Sequence, residues 1–432
     1  MKKTLVALAA LAATSSFAQS SVTISGFGNL SYDLFSVDKG KATTARTGNT
    51  SEDRVTDNSG RIIFSSNEDL GGGMRAFWQV DLRPLQDQTP RATAVCGTPA
   101  TPAVAANATA VTAQATAISA VAAAACTPGL NPLSGGNSHI GLSSSMGSIR
   151  LGRQDIHYTE GGNFAPVSNP TIHSHAGLLV TAAAGQAVGR TSRTANLIWY
   201  TTPTINGLTG TVGYSTSGYS ASGTADVEND MASGQRKGST QYARLGYAAG
   251  KVTAAVSYIN EKADYIGTAA DATSGVTGTT ALYAANGAQP DRSGTIVSFK
   301  YDLGVAKLGV AVANNTSTVL STAVASKRAV TQFGLGVPMG ASNFAVTYTT
   351  VGSVKANGVE SPNTGATSLG LAYSYDLSKR TQVFAGMQTI TNQASGAHSL
   401  FYNGDNAVGS MGSSAIAGEK HSVTSFGVRH SF

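Results

Sequence analysis

Two cysteines, seven histidines and many serines are the residues that could carry covalent or metal chemistry in this chain of 432 residues. Cys96 and Cys126 are thirty apart in one predicted loop, and the N-terminus reads as an export signal. An intraloop disulfide is therefore expected, because an exported chain meets an oxidising compartment. His173-Ser174-His175 could offer two imidazoles to a metal, but no cysteine or carboxylate stands nearby to complete a ligand set, so no metal or other cofactor is expected. With His139 and His157, these histidines lie in or near the long connection after the fifth predicted strand and the fourth strand, and would add positive charge there on protonation. Gly71-Gly72-Gly73 reads as a turn and not a phosphate cradle, because no helix follows to supply N-terminal amides. No serine sits in Gly-x-Ser-x-Gly, and no Ser/His/acid order stands out, so no enzyme is expected.

The elements that position these residues start with a signal. Lys2 and Lys3 precede an apolar run, Leu5–Ala13, and Ser16-Phe17-Ala18 is a small-x-small cleavage site. The run is shorter than the ~20 residues a membrane helix needs. Cleavage after Ala18 removes two lysines, leaving 27 basic against 23 acidic residues and a formal charge of +4 in place of +6. That excess is too dispersed to suggest a nucleic-acid partner. Charged residues make up 12% of the chain, against about 25% in ordinary soluble domains. Low charge without a long apolar helix suits an exported β-protein or a membrane barrel, whose apolar signal hides in alternation. The Ala/Thr-rich stretch Ala103–Ala125 is broken by Asn107, Gln114 and Ser119, and reads as an insertion in a surface loop at about 84–136. Residues 19–432 are expected to form one domain.

The terminal stretch Ser422–Phe432 alternates strictly. Thr424, Phe426, Val428, His430 and Phe432 share one face, and Ser425, Gly427, Arg429 and Ser431 the other. A chain that stops on the aromatic Phe432 inside a strand needs a partner on the free edge, which closing a barrel supplies. Upstream, strands are predicted over 22–35, 60–67, 74–83, 138–143, 148–154, 193–202, 208–215, 241–248, 251–260, 295–302, 306–314, 330–337, 343–350, 367–376 and 381–391. Short turns and long loops alternate between them. Val297, Phe299 and Tyr301 oppose Ile296, Ser298 and Lys300, and Leu369, Leu371, Tyr373 and Tyr375 oppose Ser368, Gly370, Ala372 and Ser374. The second faces are too polar for a sandwich core. The fold class is thus all-β: a transmembrane antiparallel barrel of sixteen strands with short periplasmic turns and long extracellular loops. Sixteen strands leave an aqueous lumen, and the long connection after the fifth strand is the best candidate to narrow it.

Val22-Thr23-Ile24, Gly60-Arg61-Ile62-Ile63-Phe64, Glu68-Asp69-Leu70-Gly71-Gly72-Gly73, Leu151-Gly152-Arg153-Gln154, Tyr375-Asp376-Leu377-Ser378-Lys379-Arg380 and the terminal Phe432, in that order, resemble the bacterial general porins of the trimeric sixteen-stranded type. The resemblance implies passive diffusion of small hydrophilic solutes and inorganic ions, a homotrimer in outer-membrane lipid and lipopolysaccharide, and a loop after the fifth strand folded into the lumen. It also implies a basic wall at the constriction, carried here by Arg61, Arg75 and Arg153. Parity agrees for Arg61 and Arg75, which alternate with apolar residues. Arg153 shares parity with Ile149 and Leu151, so a bulge or strand end must re-aim it. Arg193, Arg244 and Lys300 also oppose apolar residues and are candidates for further lumen cations. Asp155 and Glu160 are the candidate acids of the constriction loop, since 164–190 contains no Asp or Glu. Fixed guanidinium charge then favours anions. The alternatives are a substrate-specific channel for a small anionic solute, and a non-transport barrel or secreted β-protein.

Overall fold

A computed structural model describes residues 21–44, 50–84, 135–157, 159–162, 176–182, 188, 193–216, 235–236, 238–262, 265–266, 290–319, 324–400 and 416–432. The expected signal segment, nearly all of the expected insertion with Cys96 and Cys126, and His173 to His175 lie outside the described residues.

One sheet forms the body of the protein. Its sixteen long strands are β1 Ser21–Asp38, β2 Arg61–Gly71, β3 Met74–Leu82, β4 Ser138–Ser144, β5 Gly147–Asp155, β6 Arg193–Thr201, β7 Leu208–Ser215 and β8 Ser239–Ala249, followed by β9 Val252–Lys262, β10 Pro290–Asp302, β11 Lys307–Val319, β12 Val324–Met339, β13 Ser342–Val351, β14 Ala366–Asp376, β15 Thr381–Asn392 and β16 Lys420–Ser431. Each pairs antiparallel with its neighbours in sequence. The ring closes where β16 pairs with β1, in a register running from Phe27 opposite Ser431 to Asp38 opposite Lys420. Phe432 adds backbone hydrogen bonds in both directions with Gly26. A side chain at Gly26 would collide with the Phe432 ring and the Arg61 carbonyl. Three shorter strands extend the sheet: Ser51–Asp57 beside the upper half of β1, and the hairpin Val354–Ala356 with Val359–Ser361.

Alternation decides which side faces which medium. Val22, Ile24, Trp78, Ile140, Leu151, Val212, Leu245, Phe299, Phe333 and Phe426 are exposed large apolar side chains of nine different strands, and all point outward. Ser257, Ser298, Gln332, Thr349, Ser368 and Ser425, at the alternate positions of their strands, point inward and are buried. An apolar exterior around a polar interior is stable in a bilayer and not in water. Gly71, Gly72 and Gly73 all hold positive φ in the turn between β2 and β3, a conformation that other residues adopt only with strain.

The described residues of the connection after β5 lie against the inner wall. They include two short helical turns, α1 Thr159–Gly162 and α2 Ala176–Leu179. His157 Nδ1 and the Ser257 hydroxyl of β9 share a hydrogen bond of 2.6 Å. The Asn315 amide of β11 donates to the Leu179 and Thr181 carbonyls at 2.7 and 2.9 Å, and Arg328 of β12 donates to the Ala182 carbonyl at 3.0 Å. Leu178, Leu179 and Val180 pack on Ile296, Ala311, Ala313 and Val330, all inward-facing. Replacing Asn315 with leucine would leave two buried carbonyls without donors, at about 1–3 kcal/mol each. The expected result is a released loop, seen as faster proteolysis within 156–192 while the barrel keeps its far-ultraviolet spectrum.

Candidate functional site: an arginine cluster on the inner wall

Four arginines meet at the start of β2, below the Ser51–Asp57 segment that continues the ladder along β1, and at the loop-side ends of β3, β5 and β6. Arg61 opens β2 and pairs in register with Phe27, so it shares the inward face of Phe27 and Asn29. Asp81, near the end of β3, is 1% exposed and accepts two hydrogen bonds of 2.8 Å from Arg83. Arg61 approaches the same carboxylate at 3.7 Å. Arg193, the first residue of β6, pairs with Asp155 at 3.6 Å, and Arg153 donates to the Gly136 carbonyl at 3.2 Å. Among the described residues, four guanidiniums thus face two carboxylates. A paired carboxylate here holds its arginine in place while the cluster keeps a positive excess.

Parity alone would send Arg153 outward beside Leu151. The β5–β6 register shifts between Gly152 and Gln154, and this bulge turns Arg153 back to the cluster. Gly152 permits it with φ of +143°, and a Cβ there would lie 2.3 Å from the Ser138 carbonyl oxygen. Gly152→Ala is therefore expected to straighten or strain the bulge by about 1–3 kcal/mol. A lowered thermal midpoint together with reduced anion preference is the expected reading. An unchanged pair of values would show that the bulge does not position Arg153.

Arg75 does not join the others. It faces inward but lies six residues before Asp81 on β3, roughly 20 Å along the strand, beside the Gly71–Gly73 turn. Arg83 stands in the cluster instead. Glu160 does not oppose the arginines either: on α1 it is buried in an ion pair of 2.5 Å with Arg244 of β8. Lys300 of β10 faces inward and interacts electrostatically with both. Asp81 is the acid that the sequence reading missed, although its alternation with Val80 and Leu82 carries the signal. Arg150 was missed in the same way. It alternates with Ile149 and Leu151, and its guanidinium lies 5.1 Å from the Phe77 ring centre and 5.9 Å from that of Trp199.

Two histidines outside the strands hold the inner loop and its surroundings. Burial keeps His157 neutral, down to about 3. Burial, and then the charge of Arg328 beside it, pushes His398 down to about 4. Arg328 lies 3.2 Å from His398 Nε2 through the same Nη1 that reaches Ala182.

A closed, outwardly apolar barrel with charged groups and a loop on its inner wall defines a membrane channel protein. The sequence matches the Gram-negative porin family over residues 4–395, and the chain belongs to that family. It is an outer-membrane protein of porin fold and porin function. No curated protein matches the sequence. Among solved structures, the anion-selective porin from Comamonas acidovorans superposes with a TM-score of 0.66 at 19% identity, covering 96% of this chain and 100% of that one. The trimer form of OmpT from Vibrio cholerae gives 0.56 at 12% identity, with 96% and 99% covered. Salmonella typhi OmpF, in complex with daunomycin, gives 0.52 at 13%, with 95% and 97% covered. These likenesses establish the fold.

Proposed function

We propose that this protein is a general diffusion porin that passes small hydrophilic solutes and ions passively and prefers anions. It is a channel and not an enzyme, and it works as a homotrimer. The observation that carries the preference is the cluster of Arg61, Arg83, Arg153 and Arg193, which among the described residues gathers around the carboxylates of Asp81 and Asp155. Guanidinium stays charged at any working pH, so the wall is a fixed positive field. In a narrow aqueous passage such a field raises the local concentration of anions and lowers that of cations. Glu160, which in this position could have balanced the field, is neutralised by Arg244. The selectivity named for the Comamonas acidovorans porin and the trimer form of Vibrio cholerae OmpT support the reading by likeness of fold.

Liposome swelling tests the general-diffusion part. Vesicles holding the protein are expected to swell in isosmotic solutions of small neutral sugars, more slowly as the sugar grows. Swelling restricted to one anionic solute, with saturation, would favour the substrate-specific channel instead. No swelling from correctly inserted protein would overturn the porin reading. Native mass spectrometry in detergent is expected to give a trimer.

A further inference from the structure

The inner faces of β11 to β16 enclose a second charged region at the turn end of the barrel, a cavity of about 450 Å³. Lys307, Lys379, Arg380 and Arg429 line it, with Asp376 the one carboxylate among the lining residues. Asp376 accepts a hydrogen bond of 2.6 Å from Gln382. Among the described residues, none of the four cations has a carboxylate within ion-pair distance. Asn343 and Ser431, also in the lining, add neutral hydrogen-bond donors.

This cavity connects to the arginine cluster through one aromatic ring. The Arg429 guanidinium lies 4.1 Å from the Phe27 ring centre, and the Arg61 guanidinium 4.7 Å from the same centre. Two like charges repel, and the negative face of an aromatic ring offsets part of that repulsion. Phe27 thereby brings a cation of the cluster and a cation of the cavity onto a common platform.

We propose that the cavity is a second anion site, on the periplasmic side, which takes small oxyanions of the inorganic phosphate type. Its cations supply charge, and its hydroxyl and amide groups supply donors that an oxyanion uses and a halide uses less fully. The proposal rests on the anion-porin reading for its place in transport, whereas binding itself is measurable without transport.

The test is calorimetric titration of inorganic phosphate into the folded protein in detergent, at low ionic strength, comparing wild type with the Lys307→Gln/Arg380→Gln double variant. Lys307 and Arg380 are exposed, so the barrel is expected to fold without their charges. Saturable binding that weakens about fivefold or more in the double variant is expected, from two unit charges lost near the ligand. A second variant, Phe27→Leu, keeps every cation and is expected to weaken binding by removing the Arg429 platform. Equal binding by wild type and the double variant, or no binding by wild type, would overturn the proposal. A potassium-selective channel that still loses phosphate binding in the double variant would leave the second site standing and remove the anion-porin reading.

Discussion

Arg61→Glu is expected to abolish the anion preference of the channel. The substitution takes the cluster from four cations and two acids to three of each, because Arg83, Arg153 and Arg193 remain opposite Asp81 and Asp155. A unit charge ~4 Å from a passing ion is worth about 1 kcal/mol even in bulk water, or about fivefold in occupancy. Inverting one charge changes the field by two units and acts on chloride and potassium in opposite directions. The permeability ratio should therefore move by about tenfold or more. The same substitution at Arg75, near the turn end of β3, is expected to move it much less. Salt adds a check: at about 1 M the Debye length shrinks to about 3 Å, and the difference between wild type and Arg61→Glu should narrow. Equal shifts from Arg61→Glu and Arg75→Glu would contradict the placement of the selective field at the cluster.

Acid is expected to release the inner loop. His157 shares a hydrogen bond with Ser257 of β9, and its Nε2, a Val188 methyl and the Asn315 amide oxygen all lie within 3.0 Å of where a Cβ on Gly294 of β10 would sit. His398 faces Arg328, the Thr364 carbonyl and the Asn392 side chain that holds its backbone. Both titrate in the folded protein below the ~6.5 of a free imidazole. The folded state thus binds fewer protons than the unfolded one between about pH 6.5 and pH 4 for His398, and down to about pH 3 for His157. In that window, stability falls as pH falls, by about 1.4 kcal/mol per pH unit for each histidine, and above it neither contributes. Loop docking should be intact at pH 7.5 and loosened near pH 4.5, seen as added current fluctuation and faster proteolysis within 156–192. The His157→Gln/His398→Gln double variant, which keeps hydrogen-bonding groups without a titrating one, should lose most of that pH dependence. Identical acid sensitivity in the double variant would place the trigger elsewhere.

The barrel was readable because lipid on one side and water on the other force a period of two onto each strand. Phe426, Val428 and Arg429 of β16, or Val297, Phe299 and Lys300 of β10, show their faces in the sequence alone. That signal fades where both faces meet water. Ser51–Asp57 and the hairpin strands Val354–Ala356 and Val359–Ser361 are short and carry too few apolar residues to mark a face, and they went unpredicted, while β12 begins at Val324 and not at 330. The backbone ladder continues there without a hydrophobic pattern to mark it.

The site was legible in part for the same reason. Arg61 follows from parity, whereas Arg153 depends on a bulge whose cause, the positive φ of Gly152, is a backbone property. The partners of the inner loop were not legible at all. Asn315 reaches Leu179 across 136 residues and Arg328 reaches Ala182 across 146, and no local pattern encodes such contacts. Nor could alternation give depth along a strand, which is why Arg75 and Arg61 look equivalent in sequence and stand far apart in the barrel.

The reversal potential of the wild-type channel in a planar bilayer, under a tenfold KCl gradient, tests the central claim most directly. A potential displaced toward the chloride equilibrium value is the predicted result, with the displacement lost in Arg61→Glu. A potential displaced toward the potassium equilibrium value would contradict the assignment of the arginine cluster as the selective element.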